Sequence, residues 1–309
     1  MKEVSASKPL VSVIVPACNE GKNIPLLLAE FCKIEANNNF RLEVLLIDDG
    51  SSDATYSNAL EQQKTHKFLR VLRHRTNFGI TRALQTGFLE AKGEIFVFFP
   101  ADLQFLVEDI ETLVKPILAD EADFVTGRKK GKYKKRFVSG IYNFLTRILF
   151  KVDVKDMNSI KAFRREVVED MSLRKDWHRY LVVLAANQGW RIREVEVVLK
   201  PRIHGKSKFG FWRIPVGVLD LISVAFLLRY SRKPMLLFGS MGGLSFFLGI
   251  LVGLTYLGIL IFAKTGLRPL LFLVILLVLM GLLLIIAGFI AEQVAQLRSE
   301  LESLKRKSH

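Results

Sequence analysis

Cysteine is scarce in this 309-residue chain, with Cys18 and Cys32 the only two. With no metal-ligand spacing around them, they exclude a disulfide framework and read as free thiols of a reducing compartment. The opening MKEVSASKPLVSVIVPACNE has no continuous apolar core before polar residues interrupt it, so no export signal is expected there. Acidic residues are in deficit, 30 against 45 Lys plus Arg, and the formal charge of +15 favours polyanionic partners such as phosphorylated substrates and anionic lipid. Charge of either sign is missing altogether from Met235 to Ala263 and from Leu270 to Ala291. Each run exceeds the ~20 residues that span a ~30 Å hydrocarbon core, so a lipid bilayer is expected as a partner and nucleic acid is not. Internal repeats and low-complexity segments are absent too.

What lies before those runs is regular. From Leu10 to Gly127, short β-branched runs alternate with longer stretches of helical spacing, the signature of an α/β fold with a mainly parallel sheet. Strands are expected at Val11–Val15, Leu42–Ile47, Phe68–Leu72, Ile95–Phe99 and Phe124–Thr126, and helices at Ile24–Ile34, Ala54–Gln63, Ile80–Ala91 and Val107–Leu118. After Gly127 the strand rhythm gives way to the polybasic RKKGKYKKR and a helically spaced Ile141–Phe150. Arg191–Leu199 then alternates charged with apolar residues, as a last half-buried strand would. Phe211–Tyr230 reads as an amphipathic helix in the membrane interface. Arg229, Arg232 and Lys233 precede the first uncharged run, and Arg298, Lys305, Arg306 and Lys307 follow the second, so the positive-inside bias puts both ends in the cytoplasm. In the C-terminal tail Val294, Leu297, Leu301 and Leu304 fall at a/d-like spacing, which suits either an interfacial helix or a subunit-pairing coil.

Ligands of open α/β sheets bind beyond the carboxyl ends of the strands. Here those ends carry Pro16-Ala17-Cys18-Asn19-Glu20, Asp48-Asp49-Gly50-Ser51-Ser52-Asp53 and Pro100-Ala101-Asp102-Leu103-Gln104. A carboxylate at such an edge can accept hydrogen bonds from a base or a ribose hydroxyl; equally, Ser52 or Asp53 would cap the next helix. Asp102, emerging from the apolar run IFVFF, suits a hard divalent cation bridging a diphosphate, and equally a helix N-cap. No G-x-G-x-x-G turn follows the first strand, which argues against a dinucleotide dehydrogenase.

Taken in order, VSVIVPACNE, LIDDGSSDAT, RHRTNFGITRALQTGFLEAKGE, PADLQ, TGRKKGK, HRYLVVLAANQGWRIREVEV and KPRIHGKSKFG, followed by two spans, resemble the polyprenyl-phosphate glycosyltransferases of family 2. The group includes dolichol-phosphate mannose synthases and bacterial undecaprenyl-phosphate glucosyltransferases, and the likeness runs from residue 10 to residue 291. It implies a GT-A type catalytic domain over 1–210, with a Rossmann-like sheet, in the cytosol. A juxtamembrane helix over 211–232, a transmembrane hairpin over 233–291 and a cytosolic tail over 292–309 complete the expected division.

The resemblance implies an inverting transfer of a hexose-type sugar from a nucleotide-sugar, UDP-linked in preference to GDP-mannose, to a polyprenyl phosphate acceptor. Relatives of this architecture can assemble as tetramers, so a homo-oligomer is among the expectations. By position the resemblance assigns Pro16, Cys18, Glu20, Ile47, Asp49, Ala101, Asp102, Gln104 and Lys208 to the nucleotide-sugar pocket. Asp102 and Gln104 match the positions for a Mg2+ or Mn2+ ion, and Arg128, Arg202 and Ser207 those for the acceptor phosphate; Asp102, Arg128 and Arg202 form the catalytic set. A lipid phosphate with a second pKa near ~6 is already ionised at neutral pH, so no general base is obligatory. The task is instead to align two polyanions, which falls to the basic side chains of Arg128, Arg202 and Lys208.

The chain departs from the family pattern in three places. Cys18 stands where relatives often have Tyr, Pro100 stands for the first Asp of D-A-D-L-Q, and the stretch from Asp156 to Arg164 is one residue short. Proline offers no side-chain oxygen, so diphosphate oxygens and water would have to complete the ion's shell. Two rivals stand beside this reading. A processive polysaccharide synthase should carry Q-x-x-R-W and more spans, where this chain has Gln188-Gly189-Trp190-Arg191 and two; a catalytically silent membrane relative is suggested by Pro100.

Overall fold

The structure is a computed structural model that describes residues 8–37, 39–130, 150, 152, 154–169, 171, 173–174, 176–201, 213–231, 233–263 and 265–307. The chain divides into two compact units, Met1–Arg213 and Ile214–His309.

In the first unit, seven strands form one sheet: β1 (Leu10–Ala17), β2 (Arg41–Asp48), β3 (Leu69–Arg73), β4 (Ile95–Phe98), β5 (Phe124–Lys130), β6 (Lys161–Arg164) and β7 (Ile192–Val198). Four helices join the first five strands: α1 (Ile24–Asn37), α2 (Thr55–Thr65), α3 (Ile80–Glu90) and α4 (Asp109–Leu118). A short α5 (Glu166–Glu169), a 3₁₀ turn at Trp177–Tyr180 and α6 (Leu181–Asn187) lead from β6 to β7. Val13, Ile14 and Val15 of β1 are all fully buried, which a strand shows only when helices cover both faces of its sheet. Helix α1 supplies part of that cover by burying Ile24, Leu27, Leu28, Phe31 and Ile34, the apolar stripe of a 3.6-residue period.

The strand order is β3-β2-β1-β4-β6-β5-β7. β1 pairs in parallel with β2 on one side and β4 on the other, so the chain winds away from β1 in both directions and leaves a switch point between β1 and β4. The sheet is mainly parallel, as expected from the alternating pattern. One strand differs: β6 runs antiparallel between β4 and β5, with Lys161 opposite both Phe98 and Thr126. At four residues, KAFR, it is too short to show a period in the sequence. β5 also runs on to Lys130 rather than stopping at Thr126, because β7 pairs with it from Phe124↔Ile192 to Lys130↔Val198. The expected end of strand rhythm at Gly127 is corrected accordingly; Arg128 sits on a strand. The helical stretch expected over Ile141–Phe150 and the basic residues 131–135 lie, but for Phe150, outside the described residues.

The second unit holds α7 (Arg213–Tyr230), α8 (Met235–Ala263) and α9 (Arg268–Lys307). α8 and α9 are long and apolar enough to cross a membrane. They form an antiparallel hairpin whose contact depends on small residues. A Cβ on Gly281 would meet the Phe246 amide nitrogen at 2.7 Å, and one on Gly242 would meet the Gly281 carbonyl at 2.8 Å. At the open end Glu292 Oε2 accepts the Met235 amide at 3.0 Å, capping the N-terminus of α8 with a carboxylate. α9 runs without a break through residues 292–307, the stretch expected as the tail.

Candidate active site

Every strand but β6 points the same way, so one edge of the sheet collects the carboxyl ends of β2, β1, β4 and β5, with the start of β6 among them. Across that edge follow Asp49, then Cys18 and Glu20, then Asp102, Lys161 and Arg128. Four inter-strand steps of ~4.8 Å separate β2 from β5, roughly 19 Å of edge.

The loops after β1 and β2 are built as one piece. Asn19 adopts φ 55°, donates its amide to Ser51 Oγ at 2.9 Å and accepts the Ser52 amide on Oδ1 at 2.9 Å. The Glu20 amide donates to Thr55 Oγ1 at 2.8 Å and the Gly21 amide to Asp53 Oδ2 at 3.0 Å. Burial pulls the Asp53 carboxyl up, but the Thr55 hydroxyl and the backbone donors outweigh it and hold the group below the usual range. Glu20 accepts Asn23 Nδ2 at 2.6 Å, and its carbonyl accepts the Asn23 and Ile24 amides, which starts α1. The N-cap position of α2 falls to Ala54, and Asp53, expected as a helix cap, accepts the Thr55 amide at 2.9 Å and ties the two loops together.

Asp49 is 3% exposed, and its carboxylate is already crowded with donors. Oδ1 accepts His74 Nδ1 at 2.8 Å and the Phe78 amide at 3.0 Å, and Oδ2 accepts the Gly79 amide at 2.7 Å. A carboxylate only accepts, so Nδ1 carries the hydrogen, and in the neutral ring Nε2 accepts from Thr86 Oγ1 at 2.9 Å. Gly50, at φ 67°, lets the loop lie close, since a Cβ there would press into the Thr76 carbonyl carbon. Asn77 Nδ2 reaches Cys18 Sγ at 3.0 Å. Residues 74–79, HRTNFG, therefore wall the crevice beside Asp49, with the Phe78 ring 53% exposed there. This stretch is part of the RHRTNFG motif of the family resemblance, which assigns no role to any of its residues; the local signal is the Asn-Phe-Gly turn that follows β3.

Pro16 is half-buried at the end of β1 in register with Ile47; Ile47 and Ala101 are buried. In the loop after β4, Leu103 takes φ 57°. The Gln104 amide donates to Asp102 Oδ1 at 3.4 Å, and the Lys200 amide donates to the Gln104 carbonyl at 2.7 Å, which anchors the loop to the end of β7. Asp102 and Gln104, both half-buried, contribute hard oxygen atoms, the donor type Mg2+ and Mn2+ favour. Among the described residues no group of three or more His, Cys, Asp or Glu side chains could hold a metal.

On the far side Arg128 is exposed on β5 opposite Glu196 of β7. Asp156, near β6, accepts the Asn158 amide at 3.0 Å and lies 3.5 Å from Lys129 Nζ. Lys161 is 1% exposed, donates to the Ser159 carbonyl at 2.7 Å and stands 5.7 Å from the centre of the Phe98 ring. Burial pushes its amine down to about 7, with Asp156 pulling upward and Lys129 pressing down. Arg164, the last residue of the short acidic stretch, bonds Asp123, Asp120 and the Ile117 carbonyl at the opposite edge and is structural. Arg202, Ser207 and Lys208 lie outside the described residues.

The glycosyl transferase family 2 model matches residues 12–171. The chain is 32% identical to a dodecaprenyl-phosphate galacturonate synthase of Rhizobium johnstonii, over 93% of this chain and 88% of the relative. It is 29% identical to an undecaprenyl-phosphate 4-deoxy-4-formamido-L-arabinose transferase of Klebsiella pneumoniae, over 79% of this chain and 74% of that one. Among solved structures it resembles a mannosyltransferase from Pyrobaculum calidifontis in complex with GDP-Man and Mn2+, with a TM-score of 0.55 and 24% identity over 72% of this chain and 65% of that one. A Mycobacterium tuberculosis glucosyl-3-phosphoglycerate synthase in complex with Mg2+ and UDP aligns with a TM-score of 0.58 at 17% identity, over 71% and 79%. At these identities the two structures speak to the GT-A fold alone.

Proposed function

The chain belongs to glycosyl transferase family 2, and from that premise we propose that it moves a hexose-type sugar from a nucleotide-sugar, UDP-linked in preference to GDP-linked, to a polyprenyl phosphate with inversion. It is a glycosyltransferase of the polyprenyl-phosphate type. The observation that carries the assignment is the reach of the likeness: 93% of the chain aligns with a polyprenyl-phosphate sugar synthase, more than the globular unit alone provides. The donor class is supported by Asp102 and by the wall that Asp49 braces, which lie on one sheet edge beside a switch point.

In the proposed reaction a lipid phosphate oxygen forms a bond to the anomeric carbon as the bond to the nucleoside diphosphate breaks, and the electron pair leaves with the diphosphate. The wall at residues 74–79, braced by Asp49, and the Cys18 edge would hold the nucleoside. Asp102 and Gln104 would hold a divalent ion, which supplies positive charge to the leaving diphosphate. Arg128, together with Arg202, Ser207 and Lys208, would offset the repulsion between the two phosphates. We assign residues 1–210 to catalysis and, from the flanking Lys and Arg, both ends of the hairpin to the cytoplasmic side.

The test is purified full-length chain in nanodiscs with undecaprenyl phosphate and a panel of radiolabelled UDP- and GDP-sugars. One donor should yield labelled lipid and an equal amount of nucleoside diphosphate. If every donor left the lipid unlabelled, a silent relative, which Pro100 suggests, would replace the transferase. Arg128→Ala should lower turnover on the order of 10²-fold with an unchanged melting temperature; near-normal turnover would remove Arg128 from the site.

A further inference from the structure

The proposed transfer assigns no role to the C-terminal tail, yet its geometry is specific. The uncharged part of α9 stops at Ala291, and the helix continues without a break to Lys307. At ~1.5 Å per residue, the 292–307 extension adds roughly 24 Å beyond the span. After Gly288 the extension contains no glycine or proline to turn it into the interface plane, so a spanning α9 carries it out of the bilayer along its own axis. There Val294, Leu297, Leu301 and Leu304 are 61%, 60%, 61% and 62% exposed. Their 3-4-3 spacing is that of alternating a and d positions.

This row is not the face that α9 uses within the hairpin. Gly281, Ile285, Gly288 and Glu292 meet α8, through contacts to Gly242, Met235 and Phe246. The a and d row stands on the other side, and it runs back into the span through Ile290, Leu283 and Met280, which are 62%, 66% and 47% exposed. A seam of one register thus crosses from apolar span to aqueous tail. An apolar row in water is stable when another apolar surface covers it.

We propose that the tail pairs with the tail of a second copy of this chain as a parallel, in-register coiled coil that prolongs the span. Copies inserted in a bilayer share one orientation, which makes the pairing parallel. The register puts Glu300 at g and Lys305 at the following e, the spacing at which parallel strands bring opposite charges together. Gln293 and Arg298 occupy the preceding g and e, with no like charges opposed. Two heptads are too short to pair as free peptides, and shared anchoring in one membrane supplies the effective concentration they lack. The proposal rests on reading α8 and α9 as spans and is independent of the donor or acceptor.

Full-length chains in native membranes, each with one added cysteine, test it by oxidative cross-linking against the chain without the addition. Leu297→Cys and Leu301→Cys should give a disulfide-linked dimer, and Ser299→Cys, on the outer face, should not. Equal cross-linking at all three positions, or at none, would overturn the coil. As a second measurement, Leu297→Glu with Leu301→Glu should lower the molar mass by light scattering, and an unchanged mass would overturn the proposal as well. Loss of sugar transfer with cross-linking at 297 and 301 intact would count against the transferase reading and leave the coil standing.

Discussion

Asp49 and Lys161 are two buried ionisable residues on one sheet edge, and each makes a measurable commitment. Asp49 accepts three donors from the 74–79 wall, so Asp49→Asn turns a full acceptor into a group that must present two N–H bonds of its own to a donor-lined pocket. Losing such charge-assisted bonds costs about 1.5–3 kcal/mol each before relaxation, so the melting temperature should fall together with donor affinity. A variant that lost donor affinity at full stability would mean that Asp49 meets the nucleotide directly. Lys161 loses its proton at a far lower pH than an exposed lysine, because burial disfavours the charged amine. Its amine is pushed down to about 7 in the fold, while the unfolded chain keeps an ordinary value near ~10.4. Across that window the unfolded state binds more protons, so stability should rise with pH and level off below it. Lys161→Met should flatten this rise in melting curves taken from pH 6.5 to 9.5, and parallel curves for the two proteins would assign the titration elsewhere. Nothing in the pattern around Lys161 announces its burial; a charged residue opening a four-residue strand reads as solvent-facing until β4 and β5 close on either side.

Elements differ in how openly the sequence declares them. β1, β2, β4 and the first four helices follow from period and turn residues alone, whereas β6 and the last half of β5 exist because partners pair with them. The 74–79 wall belongs to the second kind, and Gly50 is its permissive point. Gly50→Ala combines a left-handed backbone position with a collision at Thr76, and should cost about 1–3 kcal/mol and weaken donor binding in the same assay. At the opposite edge Asp123 joins β5, β6 and β7. Hydrogen bonds from the Arg191 side chain, against the pull of burial, hold its carboxyl down to about 2. A depressed carboxyl contributes stability above its unfolded value and loses it as pH falls through the folded one, so this clamp should fail between pH ~4 and pH ~2. Asp123→Asn should remove that part of the acid transition, detectable by tryptophan fluorescence of the globular unit.

At the scale of the whole molecule, an excess of 15 positive charges suits the two anionic substrates and the membrane of the proposed reaction. Raising salt from ~0.1 to ~1 M shortens the screening length from about 10 to about 3 Å, so KM for donor and acceptor should rise several-fold while the melting temperature holds. A KM indifferent to salt would show that the surplus charge serves some other purpose. The sequence by itself determined the class of sheet, the two uncharged helices and the order of motifs, because burial period and charge exclusion are written residue by residue. Only the tertiary structure decided that His74 to Gly79 would brace Asp49 and that a lysine would lie buried between β4 and β5. Those outcomes depend on pairings between segments far apart in the chain, where each partner's local preference is weak and the contact itself supplies the free energy.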